Sequence, residues 1–70
     1  MHPANGAPHL NPRDVELLRH LAAGRSTAQI ATAMDISGNT VRTRVRRISA
    51  KLDVVSRTDA VRTAAAHGVL

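Results

Sequence analysis

Four aliphatic residues in the stretch Ser37–Leu52 fix what this chain can fold into. Val41, Val45, Ile48 and Leu52 stand at i, i+4, i+7 and i+11. That spacing lines one face of an α-helix and matches no strand alternation. The same stretch carries Arg42, Arg44, Arg46, Arg47 and Lys51 and no acidic residue. At about 100° per residue, Asn39, Thr43, Arg46 and Ala50 line the opposite face, with Arg42 and Arg47 flanking it. The helix therefore has a back that can lock into a core and a front of guanidinium and short polar groups. A solubilising face normally mixes charge signs, whereas this one has a single sign. Arg44 and Lys51 fall beside the apolar face, where their stems can cover core edges while their heads reach water.

The rest of the chain is punctuated as helices too. Asn11 is an N-cap, Pro12 suits the first helical position, and Asp14 stands three residues after the cap. A first helix is predicted over 12–23, stopping at Gly24, with Val15, Leu17, Leu18, Leu21 and Ala22 on its apolar arc. Asp14 lies within that arc. It either closes a capping box with Asn11 or pairs, partly buried, with an arginine of a later helix. Ser26 and Gln29 form a second capping box, opening a short helix over 27–34 with Ile30, Ala31 and Met34 inward. Asp35 stands where the connector needs a left-handed residue, and Ser37 caps the third helix, 38–51. Ser56 and Asp59 form a third cap pair before a fourth helix over 57–66, rich in alanine (60, 64, 65 and 66). Gly68 ends it, and Val69 and Leu70 can fold back on the core. Residues 1–9, with Pro3, Asn5, Gly6 and Pro8, have little to bury and read as a disordered tail or linker, leaving 10–70 as one domain.

Composition narrows the function. The chain has 70 residues, no cysteine and no aromatic residue, so a small all-α core of Leu, Ile, Val, Met and Ala is expected. There is no disulfide framework, thiolate metal site or cysteine nucleophile, which fits a reducing cytoplasm. His2, His9, His20 and His67 include no pair at i, i+4, so no metal site is expected. No nucleophile elbow, phosphate loop or carboxylate pair is apparent, so neither catalytic residues, nor an enzyme, nor a cofactor is expected. No secretory signal and no spanning run is visible, and aromatic anchors for a membrane surface are lacking. The formal net charge of +5 favours a polyanionic partner, most commonly nucleic acid. A helix fits the DNA major groove, where Arg, Asn and Thr can read base edges.

From Leu10 onward the chain resembles the LuxR/FixJ-type helix-turn-helix domain of bacterial transcription regulators. Four blocks carry the resemblance in order: LNPRDVELLRHLAAG, STAQIATAMDIS, TVRTRVRRISAKL and DVVSRTDAV. They are similar to the family's opening L-T-P-R-E-x-E-V-L-x-L-x-A-x-G, S-x-x-x-I-A-x-x-L-x-I-S, T-V-K-x-H-V-x-x-I-x-x-K-L and G-V-x-S-R-T-x-A-V. Asn11 stands for the usual Thr, Asp14 for Glu, Asp35 and Asp53 for frequent glycines, and Arg44 for a frequent His.

The resemblance implies an all-α, four-helix LuxR-type domain that binds double-stranded DNA sequence-specifically and regulates transcription. By position it assigns Arg42, Thr43 and Arg46, with Asn39 at the helix start, to bases. Thr27, Gln29 and Thr40, and Arg47, are expected on phosphates. It further implies a homodimer on DNA through the last helix, with Arg62, Ala65 and Ala66 at the interface, RNA polymerase as a further partner, and a bacterial cytoplasmic location at the nucleoid. The output domain of a larger response regulator and a complete small regulator are both open as its setting. The rival expectation is a protein-interaction module that pairs with another LuxR-type regulator through the fourth helix. The sigma-factor promoter-reading domain is a nearer rival, against which Val55-Ser-Arg-Thr-Asp-Ala60 argues.

Overall fold

The computed structural model describes residues 10–70; the tail reading of 1–9 lies outside the described residues. Four helices follow one another: α1 (Pro12–Ala22), α2 (Thr27–Met34), α3 (Gly38–Lys51) and α4 (Arg57–Ala66). The last three match the expected bounds; α1 ends one residue early, with Ala23 as its C-cap.

Each helix starts in the same way. Asn11, Ser26, Ser37 and Ser56 are extended, and each side chain accepts the N–H three residues on. The first two boxes are reciprocal, with Asp14 and Gln29 accepting the cap N–H in return. The third pair is only half a box: Ser56 accepts the Asp59 N–H, while the Asp59 carboxylate lies 3.6 Å from Arg62 instead. A carboxylate facing a cation one turn on has an alternative to the cap amide.

Each helix also stops in the same way. Gly24, Asp35, Asp53 and Gly68 all have positive φ, between 56° and 77°. The residue after each reaches back five positions to a free carbonyl: Arg25 to His20, Ile36 to Ala31, Val54 to Ser49 and Val69 to Ala64. This is the Schellman closure, and a hydrophobic residue at that following position commonly accompanies it. Three of the four are Ile36, Val54 and Val69, and all three pack against the core. The requirement for a left-handed residue is thus met twice by glycine and twice by aspartate, which tolerates that conformation at some cost.

The core consists of Leu17, Leu18, Leu21, Ile30, Met34, Val41, Ile48, Leu52, Ala60 and Ala64. Each fully buried aliphatic side chain contributes roughly 1.5–3 kcal/mol. α1 packs chiefly on α4 and α2 on α3, while α3 also touches α1 and α4. The small Ala60 and Ala64, both fully buried, let α4 approach closely. Some expectations need correcting at the margins. Ala22 is exposed, not on the inner arc; Val15 is half-buried at the edge of the α1 seam, and Val45 is half-buried because it lines an open cleft between α3 and the segment before α4. Val69 folds back as expected, but Leu70 stays exposed.

Asp14 resolves both of its readings. It is almost completely buried, closes the capping box, and receives the Lys51 ammonium at 3.0 Å. Its partner is a lysine, not an arginine. Lys51 therefore does not simply send its head to water; it ties the last turn of α3 to the first turn of α1. Arg44 departs from expectation as well. It is half-buried, and its Nη1 is shielded from solvent without a hydrogen-bond partner among the described residues.

Candidate nucleic-acid interface

The apolar seam of α3 decides which side chains face away. With Val41, Ile48 and Leu52 buried, Asn39, Arg42, Thr43, Arg46 and Arg47 are all exposed. The five expected from the helical wheel thus share the outward side of one rigid helix. None of the five acidic residues of the chain lies on α3. Among the described residues, no carboxylate comes within ion-pair distance of Arg42, Arg46 or Arg47. These guanidinium groups are uncompensated by the fold itself.

The face is partly preordered. Arg42 donates from Nη1 to Asn39 Oδ1 at 2.9 Å, one turn back. That bond holds the Arg42 guanidinium along the first turn of α3 and occupies one lone pair of the Asn39 carbonyl. The Asn39 amide N–H groups stay available outward. Thr40 is half-buried; its N–H bonds to Ser37 Oγ, which also lies 2.9 Å from the Thr40 hydroxyl. Thr40 is therefore part of the cap before it is anything else.

The start of α2 lies beside the start of α3. A methyl group on Gly38 would touch both Arg42 Nη1 and Thr27 Cγ2, each at 3.8 Å. Thr27 is half-buried and Gln29 is exposed. Gln29 spends its Oε1 on the Ser26 N–H at 2.8 Å, leaving its amide N–H groups free to donate. Thr27, Asn39 and Arg42 therefore gather at one corner where two helices begin.

Two residues of this region were not singled out from the sequence. Arg57, the first residue of α4, donates from Nη2 to Thr27 Oγ1 at 3.2 Å. It also lines a cleft of about 550 Å³ with Arg42, Val45, Arg46, Ser49, Ala50, Val54 and Val55. The thirty-residue separation from Thr27 left no local signal for this contact. Val55 is 96% exposed at the rim of that cleft, and nothing within the fold accounts for a large apolar side chain there.

On α4, Arg62, Ala65 and Ala66 are exposed, while Ala60 and Ala64 are buried. The helix thus has one face committed to the core and another left open. Among the described residues, no helix is long and apolar enough to cross a membrane. No group of three potential metal ligands occurs among them either.

Residues 8–64 match the family model described as bacterial regulatory proteins, luxR family. The response regulator protein VraR of Staphylococcus aureus is 41% identical over 61 residues, covering 87% of this chain and 29% of that protein. The VraR of Staphylococcus saprophyticus gives the same figures, 41% over 61 residues. The HTH-type transcriptional regulator MalT of Vibrio cholerae is 36% identical over 55 residues, 79% of this chain and 6% of that protein. The chain therefore spans less than a third of the length of these relatives.

Proposed function

This chain belongs to the luxR family of bacterial regulatory proteins, and from that premise we propose that it binds double-stranded DNA sequence-specifically to regulate transcription. The observation that carries the reading is the outward face of α3: five exposed polar or cationic side chains, no acid, and a back locked into the core. A helix held that way can enter the major groove as a rigid body. Arg46 is assigned to a guanine edge through O6 and N7, and the Thr43 methyl to a thymine methyl. Arg42, steadied by Asn39, reads beside them. Asn39 can still meet an adenine, because a carbonyl oxygen has two lone pairs and only one is taken by Arg42.

Arg47, on the flank of that face, and Thr27, Gln29 and Thr40, at the starts of α2 and α3, are assigned to phosphates. Such contacts set register and carry no sequence information themselves. α2 then lies across the backbone while α3 enters the groove. The open face of α4, with Arg62, Ala65 and Ala66, is assigned to a second copy of the chain, so that two half-sites are read with two-fold symmetry. Bound this way at the nucleoid in the bacterial cytoplasm, the domain would act on transcription initiation, with RNA polymerase as its further partner and a response-regulator setting like that of VraR.

Selection of duplex fragments by the purified domain, followed by sequencing, tests this reading. The expected product is an enriched motif of two inverted half-sites. Dimerisation without any enrichment or retardation of DNA would instead favour a module that pairs with another regulator through α4.

A further inference from the structure

We infer that Arg57 holds a DNA phosphate together with Thr27, a role that rests on the duplex-binding reading and extends the interface to α4. The Arg57 side chain is exposed and bonds through Nη2 to Thr27 Oγ1. A guanidinium has five N–H donors, so one bond to a hydroxyl leaves most of them free. The Thr27 hydroxyl, accepting that bond, keeps its own proton to donate. The pair thus presents N–H and O–H groups that can converge on one phosphodiester oxygen.

Charge separates this role from a purely structural tie. Joining α4 to α2 needs only a neutral donor. Arg57 instead adds a third guanidinium to a cleft already lined by Arg42 and Arg46, and none of the eight lining residues is acidic. Like charges gathered around one cleft repel, and that cost falls when an anion sits among them. Among the described residues no carboxylate pairs with Arg57. A phosphate matches the planar fork of arginine and offers the missing charge. Because the cleft borders the groove-facing side of α3, a backbone running past the start of α2 supplies that phosphate when α3 is in the groove.

Anisotropy titrations across a salt series test the assignment, using one selected duplex and one unrelated duplex. Arg57→Gln keeps a hydrogen-bonding group toward Thr27 and removes the charge. It is expected to flatten the slope of log K against log salt by about 0.9, which over one decade weakens binding about eightfold at 0.1 M salt, equally on both duplexes. Arg57→Lys should keep the wild-type slope. Arg13→Ala, at the far end near the Asp14–Lys51 tie, should leave the slope unchanged. A wild-type slope in Arg57→Gln, with wild-type binding intact, overturns this assignment alone. Absence of wild-type binding to either duplex overturns the duplex reading and this inference with it.

Discussion

The back and the front of α3 are made of the same fourteen-residue helix and obey different constraints. On the back, Val41, Ile48 and Leu52 are buried and Lys51 is tied to Asp14. Every one of these residues is explained by what it touches inside the molecule. On the front, Thr43, Arg46 and Arg47 are exposed, and no carboxylate within ion-pair distance balances the two arginines among the described residues. The fold does not need them. Packing explains one side of the helix, and the proposed duplex is what would explain the other.

Substitutions on the two sides should separate stability from binding. Ile48→Ala removes a side chain that is 1% exposed. It is expected to cost roughly 2–5 kcal/mol. A domain of this size holds only about 4–10 kcal/mol in total, so the urea midpoint should collapse or the fold be lost. Helical circular dichroism during denaturation reads this directly. A small loss would mean that the back is not a packed seam.

Lys51→Met keeps the aliphatic stem and removes the ammonium from Asp14, whose side chain is 3% exposed. Leaving that carboxylate without its cation is expected to cost about 2–3 kcal/mol, below the 3–5 of a fully buried pair because Lys51 is partly in water. Adding Asp14→Asn should recover part of the loss, as coupled residues do in a double-mutant cycle. Strict additivity of the two changes would show that the tie contributes nothing.

Arg46→Ala should behave in the opposite manner. Its stability should stay within about 0.5 kcal/mol of wild type. Binding to a selected site should weaken by roughly 1–3 kcal/mol, with relaxed preference at one base pair. Arg47→Ala should weaken all duplexes alike and flatten the salt dependence. Stability loss in Arg46→Ala comparable to Ile48→Ala would erase the distinction between the two faces.

The smallest effect belongs to the turns. Asp53 holds φ +57°, a conformation that disfavours a side chain. Asp53→Gly should stabilise by up to about 1 kcal/mol, the relief of strain being partly offset by the freer unfolded glycine. A clear destabilisation on thermal melting would mean that the Asp53 side chain makes a compensating contact.

How much of this was legible in the sequence depended on the range of the signal. The four helices were readable because caps and apolar spacing are local: Ser26 with Gln29, Ser37 before α3, and the i, i+4, i+7, i+11 line on α3. The front of α3 followed from the back, since fixing one face of a helix fixes the other. Helical spacing also placed Asp14 on the inner arc, but it could not name Lys51, thirty-seven residues away, as its partner. Ser49 stands about 80° from Val41 on the wheel, where the seam grades into the surface, and its burial depends on what packs alongside. Arg57 was hidden for a similar reason: its partner Thr27 begins another helix, and only the packing of α4 brings them together. The Ser56–Asp59 pair marks the reverse failure, a local signal half overruled by Arg62 one turn away.

The central claim is that the uncompensated cations of α3 serve a duplex. Titration of a labelled duplex with the wild-type domain at low salt, repeated as salt is raised, measures it most directly. Tight association at the lowest ionic strength, with log K falling linearly against log salt, is the predicted result. A domain that keeps its helical spectrum yet fails to associate with any duplex at the lowest salt would contradict it.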